Sequence, residues 1–323
     1  MSRKKLLIFR VFSENEKVIA DKASGRERIL LMYIVSCCST VDYSAEYLAS
    51  RGIRCLSFHY ELDGVPYLDD FGKTVPFSAF YEAMRNGAET KTSQINISEY
   101  YDFFKGILEE GCDILHVAFS SGLSGSINSA QNAAAMLSEE FPERTIRIVD
   151  SVNASAGHGI LADKAADFRD QGLSLSEAAD RLEAEKMKAQ AWFFTSTLKY
   201  FIRGGRISKA AGLIGETLGI CPLLTIDSEG KLIPMEKIRT KKKVILAAVD
   251  KLAEYAENGT DFAGPCHVCH SDCLEDAQAV VSLIESRFPN LVGKVQIHEV
   301  GTVIGSHTGP GTVGIFFWGK EKL

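Results

Sequence analysis

Residues 113–126 read DILHVAFSSGLSGS, and this stretch predicts the fold class of the chain. Residues 113–119 have the apolar, β-branched character of a short buried strand. Residues 127–137 are rich in alanine, which favours a helix that packs closely on a sheet. A strand that passes through a short polar loop into a helix is the repeating unit of an α/β protein.

The loop in this stretch has the residue types of an anion-binding site. The first N–H groups of a helix have no partner within the helix, and the helix dipole favours negative charge there. Glycine lets the backbone approach a ligand, and serine adds hydroxyl donors. The candidate ligand residues are Ser120, Ser121, Gly122 and Ser124. The loop contains no lysine, so it suits a carboxylate or a single phosphate better than a triphosphate. Serine and glycine also cap helices generally, so the loop alone leaves a binding role open.

Composition excludes several functional classes. The chain has 323 residues, of which 46% are hydrophobic and 24% charged, as in an ordinary globular protein. Its formal net charge of −6 predicts no nucleic-acid partner. The longest apolar runs, such as 29–35, are too short to span a bilayer, so we expect no integral membrane segment. An apolar patch at 6–12 is interrupted by Arg10 and has no cleavage site after it, which predicts a cytoplasmic protein.

The order of predicted elements indicates two α/β domains. We expect residues 1–28 to form an N-terminal extension, either an appended segment or an extra edge element. Residues 29–189 read β-α-β-α-α-β-α-β-α-α, the pattern of a mostly parallel, Rossmann-like sheet. The pattern of predicted elements changes near residue 190, and residues 190–323 predict a second α/β domain.

The sequence predicts four local elements within these domains. Strands are expected at 29–35 and at 54–60 because both segments are apolar and β-branched. A helix of small residues is expected at 210–218. Two apolar runs around a turn predict a β-hairpin at 221–236.

Three more loops offer polar groups of the kind that hold an anion. Thr90–Gln94 is predicted to be a second hydroxyl-rich loop, with Thr92 and Ser93 as its candidate ligands. A glycine-flexed turn carries Arg206, and a glycine-rich turn carries His307. Together with the serine loop, these turns supply hydroxyls and cations for one anionic head group.

Two other motifs bear on possible chemistry. Residues 266–270 read CHVCH, which matches the attachment pattern of a c-type haem. No export signal accompanies it, and a strand at this place directs the two cysteines to opposite faces, so we expect no metal and no cofactor. Residues 122–126 differ by one residue from the nucleophile elbow of serine hydrolases. A hydrolase of acyl esters that uses Ser121 or Ser124 with His307 is therefore the alternative from another class.

Motifs spread over residues 33–318 resemble the DegV family of bacterial fatty-acid-binding proteins. In chain order they are Thr92-Ser93-Gln94, Ser120–Ser126, Asp150-Ser151, Gly204–Ser208, Lys237–Lys242 and His307–Gly311. The resemblance implies a two-domain α/β protein that holds one long-chain fatty acid between helices and sheet. It further implies that Thr92, Ser93 and Ser121 hold the carboxylate, and that the protein binds its ligand without catalysing a reaction.

The resemblance also implies a partner. Some members are the lipid-binding subunit of a fatty acid kinase, which phosphorylates the bound acid to an acyl phosphate. By that resemblance, Arg206, Arg239 and His307 lie by the head group or on the surface that faces the kinase. The chain departs from the family pattern at Cys37, where the family usually has aspartate, and at Ile95, where it has proline. A lipid-bound regulatory protein without a kinase partner therefore stands as a further alternative, and the acyl length and the oligomeric state stay open.

Overall fold

The computed structural model describes residues 16–20, 27–31, 33–208 and 219–323. The helix predicted at 210–218 lies outside them. The strands are β1 (Glu16–Ala20), β2 (Glu27–Leu31), β3 (Tyr33–Cys38), β4 (Ile53–Leu56), β5 (His59–Leu62), β6 (Val65–Leu68), β7 (Thr90–Ser93), β8 (Asp113–Ala118), β9 (Ile146–Asp150), β10 (Ala189–Phe194), β11 (Ile220–Ile226), β12 (Leu232–Arg239), β13 (Cys266–His270), β14 (Gln296–Glu299) and β15 (Val313–Trp318). The α-helices are α1 (Ala45–Ser50), α2 (Phe77–Arg85), α3 (Ile97–Glu109), α4 (Ser126–Glu140), α5 (Ala156–Asp170), α6 (Leu175–Glu185), α7 (Lys199–Arg203), α8 (Lys241–Tyr255), α9 (Leu274–Arg287) and α10 (Thr302–Thr308).

Strands β3, β4, β8 and β9 form a parallel sheet in the order β4-β3-β8-β9. The predicted strand at 113–119 is β8, which lies in the middle of this sheet with fully buried apolar side chains. Parallel neighbours need a crossover connection, and α4 provides the one between β8 and β9. The predicted α/β class is confirmed.

The strands from Ala189 onward form a second, mixed sheet in the order β12-β11-β10-β15-β13-β14. Its β13–β14 pair is parallel and its other pairs are antiparallel. The predicted hairpin at 221–236 is present as β11 and β12. Residues Cys266 and Cys269 of β13 pack in different cores, as expected for a strand in which side chains alternate between faces.

Helix α5 lies between the two sheets. It contacts β3 and β8 of the parallel sheet and β10 and β15 of the mixed sheet. Small residues make this position possible, because a Cβ added at Gly159 would come 2.6 Å from the Tyr43 ring. A helix that is covered on both sides has to be apolar or small nearly all round. The N-terminus of α5 therefore opens into the space between the two sheets.

A small antiparallel sheet in the order β6-β5-β7 completes the part of the chain before Ala189. It corrects one prediction about the site, because Thr90–Ser93 is a strand and not a loop. Helix α10 packs against β5 and β7. This helix corrects a second prediction, because His307 lies in its last turn and not on a glycine-rich turn.

The structure also corrects the predicted beginning of the chain. Strands β1 and β2 pair with each other in a two-stranded antiparallel sheet, so in its described residues the extension agrees with an appended segment and not with an extra edge strand of another sheet. The single strand predicted at 29–35 is divided between β2 and β3, which belong to different sheets. The strand predicted at 54–60 is likewise two strands, β4 and β5. No helix among the described residues is long and apolar enough to cross a membrane.

Candidate functional site

A cavity of about 340 Å³ lies between the inner face of the mixed sheet and the elements that cover it. This volume is within the usual range of small-molecule sites, about 300–1,000 Å³. Most of the wall is apolar. The apolar lining residues are Phe58, Phe119, Leu123, Ala154, Phe193, Phe201, Ile226, Leu232, Val300, Val303, Ile304 and Phe316.

One end of this cavity is polar. It brings together five of the predicted site residues, Thr92, Ser93, Ser124, Arg206 and His307. They come from the end of β7, the loop before α4, the turn after α7 and the last turn of α10. We call these five residues the head-group cluster.

Arg206 is the charged member of the head-group cluster, and among the described residues no carboxylate pairs with its charge. Its Nη1 donates to the carbonyl oxygen of Gly204 at 2.7 Å, and its Nη2 donates to that of Leu123 at 3.0 Å. No carboxylate in the described ranges forms an ion pair with it, and partial burial lowers its pKa. A half-buried cation that bonds only to neutral carbonyls is stabilised when an anion enters beside it.

His307 is the neutral member that orients a hydroxyl. Its Nε2 lies 2.8 Å from Thr92 Oγ1. Burial lowers its pKa to about 3, with a further contribution from the positive charges of Arg206 and Arg203. Its Nδ1 is buried without a hydrogen-bond partner and faces Gly204, where an added Cβ would come 2.1 Å from it.

The neutral state of His307 determines what Thr92 can offer a ligand. If Nε2 carries the proton and donates to Thr92, the Thr92 hydroxyl is free to donate to a carboxylate oxygen. The tautomer is an assignment made from this network. With it, the cavity offers an anion a hydroxyl donor from Thr92 and a guanidinium from Arg206.

Several polar groups of the serine loop that the sequence offers as ligands bond within the protein or lie outside the cavity wall. Ser120 Oγ donates to the carbonyl oxygen of Gly230 at 2.8 Å, in the turn between β11 and β12. The N–H of Ser121 donates to Asp150 Oδ1 at 3.2 Å, and that of Gly122 to Ser120 Oγ at 3.2 Å. These N–H groups, which were predicted to be unpaired, therefore donate hydrogen bonds within the protein. Ser120, Ser121 and Gly122 do not line the cavity, whereas Ser124 does.

Arg239 lies apart from the cavity, exposed at the end of β12. A separate outer cleft of about 500 Å³ adjoins the cavity and has Leu123, Arg206 and Leu232 in its wall as well as in the cavity wall. Arg206 therefore borders both spaces.

The sequence did not identify the aromatic wall or one polar residue of the inner wall. Phe193 pairs with Gly314 of β15, and the Phe316 ring lies over the same glycine, where an added Cβ would come 2.8 Å from that ring. Alternation within the two strands could have indicated these positions, but not that they enclose a space. Ser155, which precedes α5, also lines the cavity and carries no sequence signal beyond that of a helix cap.

The geometry does not support a hydrolase. His307 bonds to Thr92, and neither Ser121 nor Ser124 is among its hydrogen-bond partners. With its pKa lowered to about 3, His307 is a poor general base at neutral pH. Within the ranges described, no three His, Cys, Asp or Glu side chains are grouped so as to hold a metal ion.

A family model named DegV, described as an uncharacterised protein family, matches residues 37–320. The chain belongs to the DegV family. A DegV domain-containing protein of Clostridium perfringens is 33% identical over 290 residues, which cover 90% of this chain and 98% of that relative. The predicted family resemblance is confirmed.

Solved structures of other DegV proteins share the fold. One from Thermus thermophilus, described by its fatty acid binding, has a TM-score of 0.77 at 29% identity and covers 89% of this chain and all of its own. The fatty acid kinase B3 protein of Streptococcus pneumoniae, solved with linoleic acid, has a TM-score of 0.76 at 22% identity, over 89% of this chain and 99% of its own. At that identity the second likeness concerns the fold.

Proposed function

We propose that this DegV protein binds one long-chain fatty acid in the cavity, with the carboxylate at the head-group cluster. The observation that carries the proposal is Arg206, a half-buried cation with no carboxylate partner among the described residues, in the head-group cluster of a cavity whose wall is mostly apolar. The fatty acid binding of the Thermus thermophilus relative supports the same ligand class.

The energetics of the cavity fit an acyl chain. Each buried methylene contributes about 0.8 kcal/mol, so a chain of roughly 14 methylenes contributes about 10 kcal/mol before the cost of ordering it. Hydrogen bonds and one ion pair then need only fix the direction in which the ligand lies. The carboxylate would accept from Thr92 and Ser124 and pair with Arg206, while the chain lies against Phe193 and Phe316.

Native mass spectrometry and lipid extraction test this ligand directly. We expect a mass excess of one fatty acid per chain, or uptake of one stearate after delipidation. A clean ligand-free mass with no uptake of added stearate would contradict the proposal.

Two hydroxyl variants separate the head-group cluster from the serine loop. Thr92→Val should weaken stearate binding about tenfold or more, because one hydrogen bond to a charged group contributes about 1.5 kcal/mol or more. Ser121→Ala is the matched control and should retain the affinity, since Ser121 is exposed and does not line the cavity. Equal losses in the two variants would contradict the assignment.

We further propose that the bound acid is presented to the catalytic subunit of a fatty acid kinase. Arg206 borders both the cavity and the outer cleft, which gives a partner a route to the carboxylate. Arg239 is exposed on the same hairpin that supplies Leu232 to both. Incubation with a bacterial fatty acid kinase catalytic subunit, ATP and stearate should yield acyl phosphate, and Arg239→Glu should suppress it while stearate stays bound. Failure to form acyl phosphate with a ligand-loaded protein would favour a regulatory protein without a kinase partner.

A further inference from the structure

Ser155 is the polar residue of the inner wall whose bonding is incomplete. It lines the cavity, is 4% exposed, and its Oγ makes no hydrogen bond of ordinary geometry with the described residues, although Asp42 and Cys269 lie near it. Two other hydroxyls of the cavity wall already have hydrogen-bond partners. Thr312 Oγ1 donates to the carbonyl oxygen of Thr308, and Thr308 Oγ1 lies 3.3 Å from Ser271 Oγ. Burying a hydroxyl without a hydrogen-bond partner costs free energy, so a ligand group that hydrogen-bonds to Ser155 Oγ is favoured at this position.

The backbone holds this hydroxyl firmly in place. Ser155 has a φ of 53°, in the left-handed region, directly before α5. Its carbonyl oxygen accepts from Gly159 N at 3.1 Å. The preceding Asn153 is fixed by its Nδ2, which donates to the carbonyl oxygen of Ala189 at 2.8 Å. The backbone contacts therefore fix where the Cβ of Ser155 lies in the cavity wall.

A second incomplete group lies behind Ser155. Asp42 Oδ1 accepts from Gly301 N at 2.9 Å, but the buried Asp42 Oδ2 has no partner. The Ser155 hydroxyl is close enough to lower the pKa of the Asp42 carboxyl and of the Cys269 thiol, although burial raises both overall. A hydroxyl that leans toward this carboxyl keeps its oxygen lone pairs for a donor in the cavity.

Resting on the proposed fatty-acid site, we propose that Ser155 forms a second polar subsite, which selects acyl chains that carry a hydroxyl group. A ligand hydroxyl can donate to the lone pairs of Ser155 Oγ, whereas a methylene leaves those lone pairs without a donor. The ligand class is then a hydroxy fatty acid with its carboxylate at the head-group cluster. An ordered water between Ser155 and Asp42 is the competing occupant, because a buried water needs two or more polar partners.

Binding of a positional series tests the subsite. Delipidated protein is titrated calorimetrically with stearate and with hydroxystearates that differ in the position of the hydroxyl. We expect one positional isomer to bind about tenfold more tightly than stearate and the other isomers to bind more weakly than stearate. If no isomer exceeds stearate, Ser155 is satisfied within the protein or by water, and the inference is overturned. If stearate itself does not bind, the result contradicts the proposed fatty-acid binding and is thereby distinguished from a failure of the Ser155 subsite alone.

Variants connect the preference to Ser155. Ser155→Ala keeps the strained backbone and removes the hydroxyl, so it should reduce the tenfold preference to about one. Ser155→Gly also removes it and adopts a positive φ without strain, which provides a second test if the alanine variant folds poorly. Ser306→Ala is the matched control, because this buried hydroxyl donates to the Thr302 carbonyl oxygen at 2.8 Å and does not line the cavity. A preference that survives both Ser155 variants would overturn the proposal.

Discussion

Replacing Arg206 by methionine should abolish recognition of the carboxylate without harming the fold. Methionine retains much of the volume and removes the charge. Truncating one member of a buried charge pair costs about 2–5 kcal/mol, which corresponds to a rise in Kd of roughly 30- to 5,000-fold. Because Arg206 is half-buried and partly hydrated, we expect the lower part of this range.

The same change should leave the ligand-free protein nearly as stable. Arg206 has no carboxylate partner in the described residues, so its loss leaves no charge uncompensated. Two carbonyl oxygens lose a donor, those of Gly204 and Leu123, and both lie close enough to the outer cleft for water to replace it. For a chain of this size a cost of about 1 kcal/mol corresponds to a fall in Tm of about 1–2 °C.

Calorimetric titration with stearate and with stearyl alcohol separates charge recognition from packing. Arg206→Met should lose affinity for the acid and keep its affinity for the alcohol. Arg203→Met is the matched control, because Arg203 lies over the Tyr200 ring, bonds to Thr90 and does not line the cavity. Equal losses for acid and alcohol, or an unchanged affinity for the acid, would refute the reasoning.

Three further predictions concern groups around the head-group cluster. His307→Gln should bind stearate better than His307→Ala, because an amide N–H can replace the imidazole donor to Thr92; equal affinities in calorimetry would count against that donor. Gly204→Ala should displace His307, whose Nδ1 would lie 2.1 Å from the new Cβ, and so weaken stearate binding in the same assay. Burial raises the pKa of Asp42 to about 7, so its contribution to stability is present at low pH and is lost as pH rises from about 4 through 7. Asp42→Asn should remove this loss while its Oδ1 still accepts from Gly301, so the Tm advantage of the variant should grow with pH; parallel profiles of Tm against pH would contradict it.

Local signals in the sequence were sufficient for the elements of the fold. The strand, loop and helix read from residues 113–137 are β8, the loop after it and α4. The capping pattern at Ser174 and Glu177 begins α6, with both reciprocal hydrogen bonds formed. Such features depend on backbone preference and on residues only a few positions apart, so a single sequence contains the information.

The sequence did not predict correctly which sheet each strand joins. Residues 29–35 have one continuous apolar pattern, yet β2 and β3 join different sheets. Thr90–Ser93 has the composition of a loop but pairs with β5 as an antiparallel strand. Strand propensity is weak compared with the hydrogen bonds and packing that a neighbouring strand supplies, and the neighbour is chosen by the whole fold.

The residue types of the candidate site were determined by the sequence alone, since hydroxyls, a guanidinium and an imidazole on glycine-containing segments predict an anionic ligand. Only the tertiary structure decided which of them meet. Thr92 and His307 are 215 residues apart and lie within 2.8 Å, whereas Ser121, in the most suggestive motif, does not line the cavity. The sequence likewise did not show that no carboxylate among the described residues pairs with Arg206, or that the hydrogen bonding of Ser155 is incomplete there. Both depend on what a side chain lacks nearby, and that is fixed by packing between distant segments rather than by local residue order.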